Sequence, residues 1–319
     1  MAENESRPLE SSVLDWFQKQ GYSLEMRVAR IFHEAGFAVS QFESYVDPES
    51  GSLREIDVVA SVTHEVAGIA ASFALLIECK HCPKPWVLLT SPRRSASYYC
   101  FSRILQGNFD VHEWREYSTF QARVLARMLA SLGRTEAATM DFFCLPQRPG
   151  YAIVEAFKER ERAKDNAYTA VMQAHSCATA HDRRSQMIFE DALEHCGQRL
   201  HETGGTSTGL QLFCSVGFPL VVAEGQIFEC HLDAGGDVAL SETAMGTVLV
   251  SSKEGADPWK AMAYDSVVRV VTQDSVASLA AQAKKALDAL LSQEEALLEI
   301  WEYESSKMSH EEEADEIPF

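Results

Sequence analysis

Residues 73–80, FALLIECK, join an apolar run to a glutamate and a lysine, and this stretch decides the fold. A similar run, REIDVVA at residues 54–60, lies upstream and carries Asp57. Both runs have the length and composition of buried β-strands. Because strand residues two apart face the same side of a sheet, Glu78 and Lys80 share a face, and Asp57 lies opposite them if the two strands pair. Two carboxylates and an ammonium group at a strand end are costly unless a metal ion or a reaction uses them.

The patterns around these two runs predict an α/β protein with a mixed central sheet. Residues 11–36 have the apolar spacing of a helix, and Glu25 borders the buried face of that helix. A turn is predicted at residues 47–51. Further strands are predicted at 37–46, 210–232, 238–251 and 266–272, with a hairpin turn at Glu224-Gly225. Further helices are predicted over most of 95–145, over 152–180 and over 276–302.

Length and composition exclude several classes of protein. The chain has 319 residues, of which 46% are hydrophobic, which is enough for a substantial core. No apolar run approaches the roughly 18 residues of a membrane span, and the N-terminus lacks the basic and apolar regions of a signal peptide. The eight cysteines are scattered and do not form a zinc-finger pattern or a secreted disulfide framework. We therefore expect a cytoplasmic protein without a membrane partner.

The charge is unevenly distributed along the chain. The net charge is −19, yet residues 93–184 alone carry +4 and residues 288–319 carry −10. The basic segment begins with Arg93 and Arg94, shortly after His81. These three side chains are candidates for contact with nucleic-acid phosphates, although a solvated helical surface would give the same pattern.

The order of the acidic and basic residues resembles that of the PD-(D/E)xK nuclease superfamily. Glu25 lies on the first predicted helix, Asp57 on a strand, and Glu78-Cys79-Lys80 forms the (D/E)xK element on the next strand. The resemblance covers residues 20–82 and is closest to the Mrr-like and Holliday-resolvase-like branches. Ile56 departs from the family's name, which has proline before the first acid.

The resemblance implies the restriction-endonuclease-like fold, a three-layer α/β sandwich with an α-β-β-β-α-β core. The core would occupy residues 11–232, with a helical insertion at about 95–150. Its last helix would end near residue 180, and its last strand would lie around 218–222. Residues 233–304 would form a C-terminal α/β elaboration. Residues 1–10 would be a flexible N-terminus, and the acidic residues 305–319 a disordered tail.

The resemblance also implies Mg²⁺-dependent hydrolysis of phosphodiester bonds, with Mn²⁺ as a substitute. Asp57, Glu78 and the backbone carbonyl of Cys79 would bind the metal ion, Lys80 would orient the attacking water, and Glu25 would support them. The substrate would be DNA, or alternatively RNA, in bacterial defence against viruses or in DNA repair. Many such proteins dimerise, and a protein partner is a further expectation. The alternative is a catalytically silent subunit of the same fold that binds nucleic acid or assembles a complex.

Overall fold

The computed structural model describes residues 9–19, 21–66, 69–92, 97–100, 103–106, 128–129, 132, 142–157, 165–203, 212–251, 265–295 and 299. Within these residues the protein is of the mixed α/β class, with four helices and a ten-stranded mixed sheet. The helices are α1 (Leu9–Lys19), α2 (Tyr22–Glu34), α3 (Asn166–Thr203) and α4 (Val276–Leu291). The strands are β1 (Ala38–Val46), β2 (Leu53–Val66), β3 (Ile69–Lys80), β4 (Trp86–Thr90), β5 (Ser97–Cys100), β6 (Arg103–Gln106), β7 (Gly150–Glu155), β8 (Leu212–Ala223), β9 (Ile227–Leu232), β10 (Val238–Thr243), β11 (Met245–Ser251) and β12 (Asp265–Thr272).

The order of strands in the large sheet is β1-β2-β3-β8-β12-β11-β7-β4-β9-β10, and β5 and β6 form a separate antiparallel pair. Strands β1, β2 and β3 make an antiparallel meander. Strand β8 lies parallel to β3, from Ile69 opposite Leu212 to Lys80 opposite Ala223. The carboxyl ends of β3 and β8 therefore meet at the same edge of the sheet.

The helices cover the sheet through apolar and small side chains. Helices α2 and α4 pack against each other and against β2, whereas α3 packs on β3 and β8. The alanines of α3 permit close packing, since Ala167, Ala170 and Ala174 are fully buried. Gly217 on β8 has the same role, because a Cβ atom there would lie 2.8 Å from a methyl carbon of Leu76.

Asp47 fixes the β1–β2 turn, which confirms the turn predicted at residues 47–51. Its carboxylate accepts hydrogen bonds from the backbone N–H of Ser50 (2.8 Å) and from the hydroxyl of Ser176 on α3 (2.8 Å), and it pairs with Arg54 (3.0 Å). Burial alone would raise the pKa of Asp47, but these hydrogen bonds outweigh it and lower the pKa to about 2. The turn thereby ties the strand that carries Asp57 to α3.

Several predicted helices need correction. The helix predicted at 11–36 is interrupted at Gly21, which has a φ of +87° and separates α1 from α2. The helix predicted at 152–180 starts later than expected. Residues 150–155 form strand β7, and α3 starts at Asn166. Within the helical insertion predicted at about 95–150, residues 97–100 and 103–106 are strands. The helix predicted at 276–302 is interrupted: α4 ends at Leu291, residues 292–293 are not helical, and residues 294–295 and 299 are helical again.

The strands of the second half form largely where predicted, but not all of their pairings were foreseen. The turn at Glu224-Gly225 does not make a hairpin, because β8 pairs with β3 and β12, whereas β9 pairs with β4 and β10. Residues 238–251 form the two strands β10 and β11, which pair with β9 and β12 and not with each other. The strand predicted at 266–272 is confirmed as β12. The proposed domain boundaries stay a prediction. Of the flexible N-terminus predicted at residues 1–10, residues 9 and 10 are instead the start of α1, and the rest lies outside the described residues, as does the tail predicted at 305–319.

Candidate active site

Four predicted residues come together where β3 ends. Lys80 forms an ion pair with Glu78 across the intervening residue, and the Asp57 carboxylate accepts a hydrogen bond from the backbone N–H of Cys79 at 2.7 Å. Glu25, in the first turn of α2, lies close enough to Asp57 and Lys80 for their charges to affect its pKa. The structure thus brings one side chain from α2, one from β2 and two from β3 to a single place.

The local backbone explains why Asp57 is available at this point. The β2–β3 ladder ends with the pair of Val58 and Ile77, so the next position in register, Asp57 beside Glu78, lacks a ladder pairing. The Asp57 side chain instead accepts the N–H of Cys79. Strand β3 continues to Lys80 because β8 still pairs with it on the other side. The two acids therefore sit where two strands separate.

Strand β1 is also irregular opposite Asp57. Gln41 pairs with Val58 and Glu43 pairs with Ile56, which leaves Phe42 opposite Asp57 in the register. Phe42 has a φ of 57°, in the left-handed region that residues other than glycine rarely adopt. Backbone strain of this kind costs on the order of 1–3 kcal/mol and tends to occur at functional sites.

Burial makes the two glutamates hard to ionise. Desolvation, reinforced by the nearby charge of Asp57, raises the pKa of Glu25 to about 7. Glu78 is only 2% exposed, and desolvation together with Asp57 raises its pKa to about 7 as well. Desolvation also raises the pKa of Asp57, against the lowering effect of the Cys79 hydrogen bond and of Lys80. The cluster thus holds more negative charge than the single lysine balances.

Lys80 remains a cation in this setting. Burial tends to lower its pKa, but the adjacent Glu78 carboxylate outweighs burial and raises the pKa above its ordinary value. A general base must give up its proton near neutral pH, and a lysine needs a lowered pKa to do so. Lys80 is therefore suited to stabilising negative charge and to orienting a polar group.

Two carboxylate oxygens of the cluster lack a hydrogen-bond donor. They are Oε2 of Glu25 and Oε2 of Glu78, both buried. A buried acceptor without a donor costs about 1–3 kcal/mol, so these atoms favour a ligand that brings positive charge or hydrogen-bond donors. The donor set, carboxylate oxygens beside a backbone carbonyl, is the kind that Mg²⁺ binds. Chemically, the residues fit such an ion.

The fit is one of donor type, since the ligands are not assembled in a coordination shell. Within the described part of the chain, no group of three or more His, Cys, Asp or Glu side chains stands ready to hold a metal ion. Two of the carboxylates already have internal partners: Glu78 pairs with Lys80, and Asp57 accepts the Cys79 N–H. Binding a metal ion would require at least one of these contacts to rearrange. The Cys79 carbonyl as a ligand stays a prediction.

The other predicted contact residues have different outcomes. His81 follows Lys80 and is exposed, and its Nδ1 lies 2.5 Å from the carboxylate of Glu224. Arg93 and Arg94 lie outside the described residues. The sequence reading missed Glu224 and also Arg27, whose guanidinium is 2.8 Å from Glu224. A signal for Glu224 was present: it follows the apolar run of β8 directly, as Glu78 follows the apolar run of β3.

Comparison with known proteins adds no relative to this picture. No family model, no curated protein and no solved structure matches the chain. Nor does any helix in the described ranges have both the length and the apolar character needed to cross a membrane. Arguments about function therefore rest on the site itself.

Proposed function

We propose that this protein is a metal-dependent nuclease that hydrolyses phosphodiester bonds, with DNA as the preferred substrate over RNA. One observation carries the proposal: two buried carboxylate oxygens without donors, Oε2 of Glu25 and of Glu78, lie in one charged cluster with Lys80 and Asp57. The chain order adds support: with β4 to β7, which lie between β3 and α3, set aside, the elements α2, β1, β2, β3, α3 and β8 follow the α-β-β-β-α-β order expected of the restriction-endonuclease-like fold.

Each residue has a role set by its position. Asp57 and Glu78 would hold Mg²⁺, or Mn²⁺ in its place, with the backbone carbonyl of Cys79 as a further oxygen ligand. The bound ion neutralises phosphate charge and lowers the pKa of water. Lys80 holds its proton and presents a fixed positive charge to the phosphoryl oxygens or to the attacking oxygen. Glu25 is buried and its pKa is raised, and it orients polar groups from the α2 side of the site.

The proposal includes a cellular setting. The enzyme would act in the cytoplasm. It would use this chemistry either in bacterial defence against viruses or in DNA repair. Such an enzyme would act as a homodimer or with a protein partner that supplies sequence recognition.

The test compares cleavage of plasmid DNA and of RNA, with Mg²⁺ and with Mn²⁺, by the wild-type chain and two variants. Lys80→Ala and Asp57→Ala should each lower the rate at least about 100-fold, since each removes charge stabilisation at the reacting phosphate. Lys284→Ala removes a lysine from an exposed pair on α4 and should leave the rate unchanged. Cleavage that survives both substitutions would exclude this site.

A second readout does not depend on activity. Mg²⁺ at a hundredfold excess over its dissociation constant should raise the free energy of unfolding by about 2.7 kcal/mol, because it binds only the folded chain. Asp57→Asn should abolish this increase. The increase should be larger at pH 8 than at pH 6, because the glutamates must lose protons that they hold near a pKa of about 7. Equal stabilisation of the wild type and the variant would contradict metal binding here.

The second candidate is a silent subunit of the same fold that binds nucleic acid. The Lys80–Glu78 pair and the Asp57 hydrogen bond favour it, since each gives one of the carboxylates a partner without a metal ion. Binding that persists in a chelator, with no product from any substrate in any metal, would support this role over catalysis.

A further inference from the structure

A guanidinium and an imidazole converge on one carboxylate beside the candidate active site. A guanidinium nitrogen of Arg27 lies 2.8 Å from Oε1 of Glu224, and Nδ1 of His81 lies 2.5 Å from Oε2. The same Arg27 nitrogen is 3.3 Å from the side-chain oxygen of Gln273. Each oxygen of Glu224 is therefore engaged by a different donor group.

The backbone fixes Glu224 in this position. Its N–H donates to the carbonyl oxygen of Lys80 at 2.9 Å, so Glu224 is attached directly to the end of β3. The next residue, Gly225, packs so tightly on the backbone of Cys82 that a Cβ atom would overlap the carbonyl oxygen there. The backbone of Glu224 is thus fixed beside the end of β3 by contacts that do not involve the charge of its carboxylate.

The arrangement has the chemistry of an anion site. Arginine binds phosphate oxygens through charge-assisted hydrogen bonds, a histidine ring N–H can donate to a second oxygen, and a carboxylate resembles a phosphate in charge and in its oxygen acceptors. The side chains of Arg27 and His81 are about half exposed, at 50% and 53%, so a ligand can reach them from solvent. A cleft of about 390 Å³ between α2 and the turn at residues 273–274 adjoins Arg27 and Glu224.

We propose that Arg27 and His81 form a subsite for a backbone phosphate next to the one that reacts, and that Glu224 occupies this subsite until nucleic acid displaces it. The inference rests on the proposed function and names a regulatory feature of the same site. Glu224 acts as an internal competitor: its carboxylate weakens binding of nucleic acid and holds the Arg27 and His81 side chains in the geometry that the phosphate takes over.

The test measures binding, not cleavage. Fluorescence anisotropy of a labelled DNA duplex, without divalent ions and between 50 and 200 mM salt, gives the affinity and its salt dependence. Glu224→Gln keeps the size of the side chain and the backbone bond to Lys80 but removes the charge. It should tighten binding about five- to tenfold at the lowest salt and steepen the salt slope by about one, as expected for one added phosphate contact.

Arg27→Gln should weaken binding by a similar factor. In the Arg27→Gln background, Glu224→Gln should add less than twofold, because the cation that it releases is absent. The matched control is Glu34→Gln, which frees Arg30 from an exposed ion pair on the same helix. It should change binding less than twofold, and an effect as large as that of Glu224→Gln would mean that any lost negative charge suffices and would overturn the proposal.

The outcomes separate this inference from the proposed function. Cleavage by the wild type with no tightening in Glu224→Gln overturns the subsite alone. Tightening without cleavage under any condition keeps the subsite and removes the nuclease activity. No binding by either protein overturns both. Glu224→Asp, which keeps the charge but shortens its reach, should also tighten binding and serves as the second variant if Glu224→Gln unfolds in a thermal melt.

Discussion

Replacing Glu25 by glutamine should make the protein more stable at alkaline pH and no more stable at acidic pH. Glu25 is 8% exposed, and one of its carboxylate oxygens has no hydrogen-bond donor. Desolvation and the charge of Asp57 raise its pKa from 4.5 to about 7. Ionising this side chain therefore works against folding, and a neutral amide of the same shape removes that cost.

The pKa values give the magnitude and the pH window. A raised pKa contributes stability that is fully present below the unfolded value of 4.5 and is lost as the pH rises through the folded value of about 7. A difference of roughly 2.5 units corresponds to about 3 kcal/mol, fully expressed by about pH 8. The gain from Glu25→Gln should thus be close to zero at pH 4.5, rise through pH 6, and level off near 3 kcal/mol at pH 8.

Urea unfolding followed by circular dichroism, in a chelator and at five pH values from 4.5 to 9, measures this curve. Glu34→Gln provides the control, because Glu34 lies on the same helix with an exposed side chain and should change stability by no more than about 0.5 kcal/mol at any pH. The reasoning is refuted if Glu25→Gln destabilises the protein equally at pH 5 and pH 8. A flat positive difference would refute it too, because the effect would then come from packing and not from ionisation.

Four further substitutions test other parts of the fold by the same unfolding assay. Asp47→Asn should cost about 2 kcal/mol at pH 7, since the pKa of Asp47 is lowered from 3.8 to about 2, and the cost should disappear as the pH falls toward 2; a cost that stays constant with pH would contradict this. Gly225→Ala should cost about 1–3 kcal/mol through the clash with Cys82, and a neutral result would mean that the loop can move. Phe42→Gly should change stability by less than about 1 kcal/mol because it relieves a positive φ, whereas Phe32→Ala, in the core, should cost about 3–5 kcal/mol; equal losses would mean that Phe42 is not strained.

The first half of the site could be read from the sequence because its signals are local. The alternation around Asp57 and the apolar run before Glu78 each identify a strand. Their pairing was left open by the sequence, and the structure shows it to be antiparallel. Helix periodicity placed Glu25 on the buried side, as the structure also has it. Each of these inferences needs a window of fewer than twenty residues or so.

The second half could not be read in this way because its pairings are non-local. Lys80 faces Ala223 in the β3–β8 ladder, and no local pattern states that residues so far apart are neighbours. The same limit hid Glu224, which reaches the site only through that parallel pairing. Strand β7 matches the pattern of a helix as well as that of a strand. Its apolar spacing, with Ile153 buried, continues into the alanines of α3 at helical intervals, so the local sequence predicts one long helix.

The charge balance of the cluster argues that its residues do more than hold the fold together. Three carboxylates surround one ammonium group, and two of the three have pKa values near 7. An apolar cluster of the same volume would be more stable, because buried ionisable groups seldom repay their desolvation. A cluster built only for stability would also leave no buried carboxylate oxygen without a donor. A cation and a phosphate that entered together would remove both costs, since the cation would satisfy the carboxylates and the phosphate would satisfy Lys80. The proposed function thus accounts for both costs, because catalysis by preorganised charge requires charged groups that are paired only when the substrate is bound.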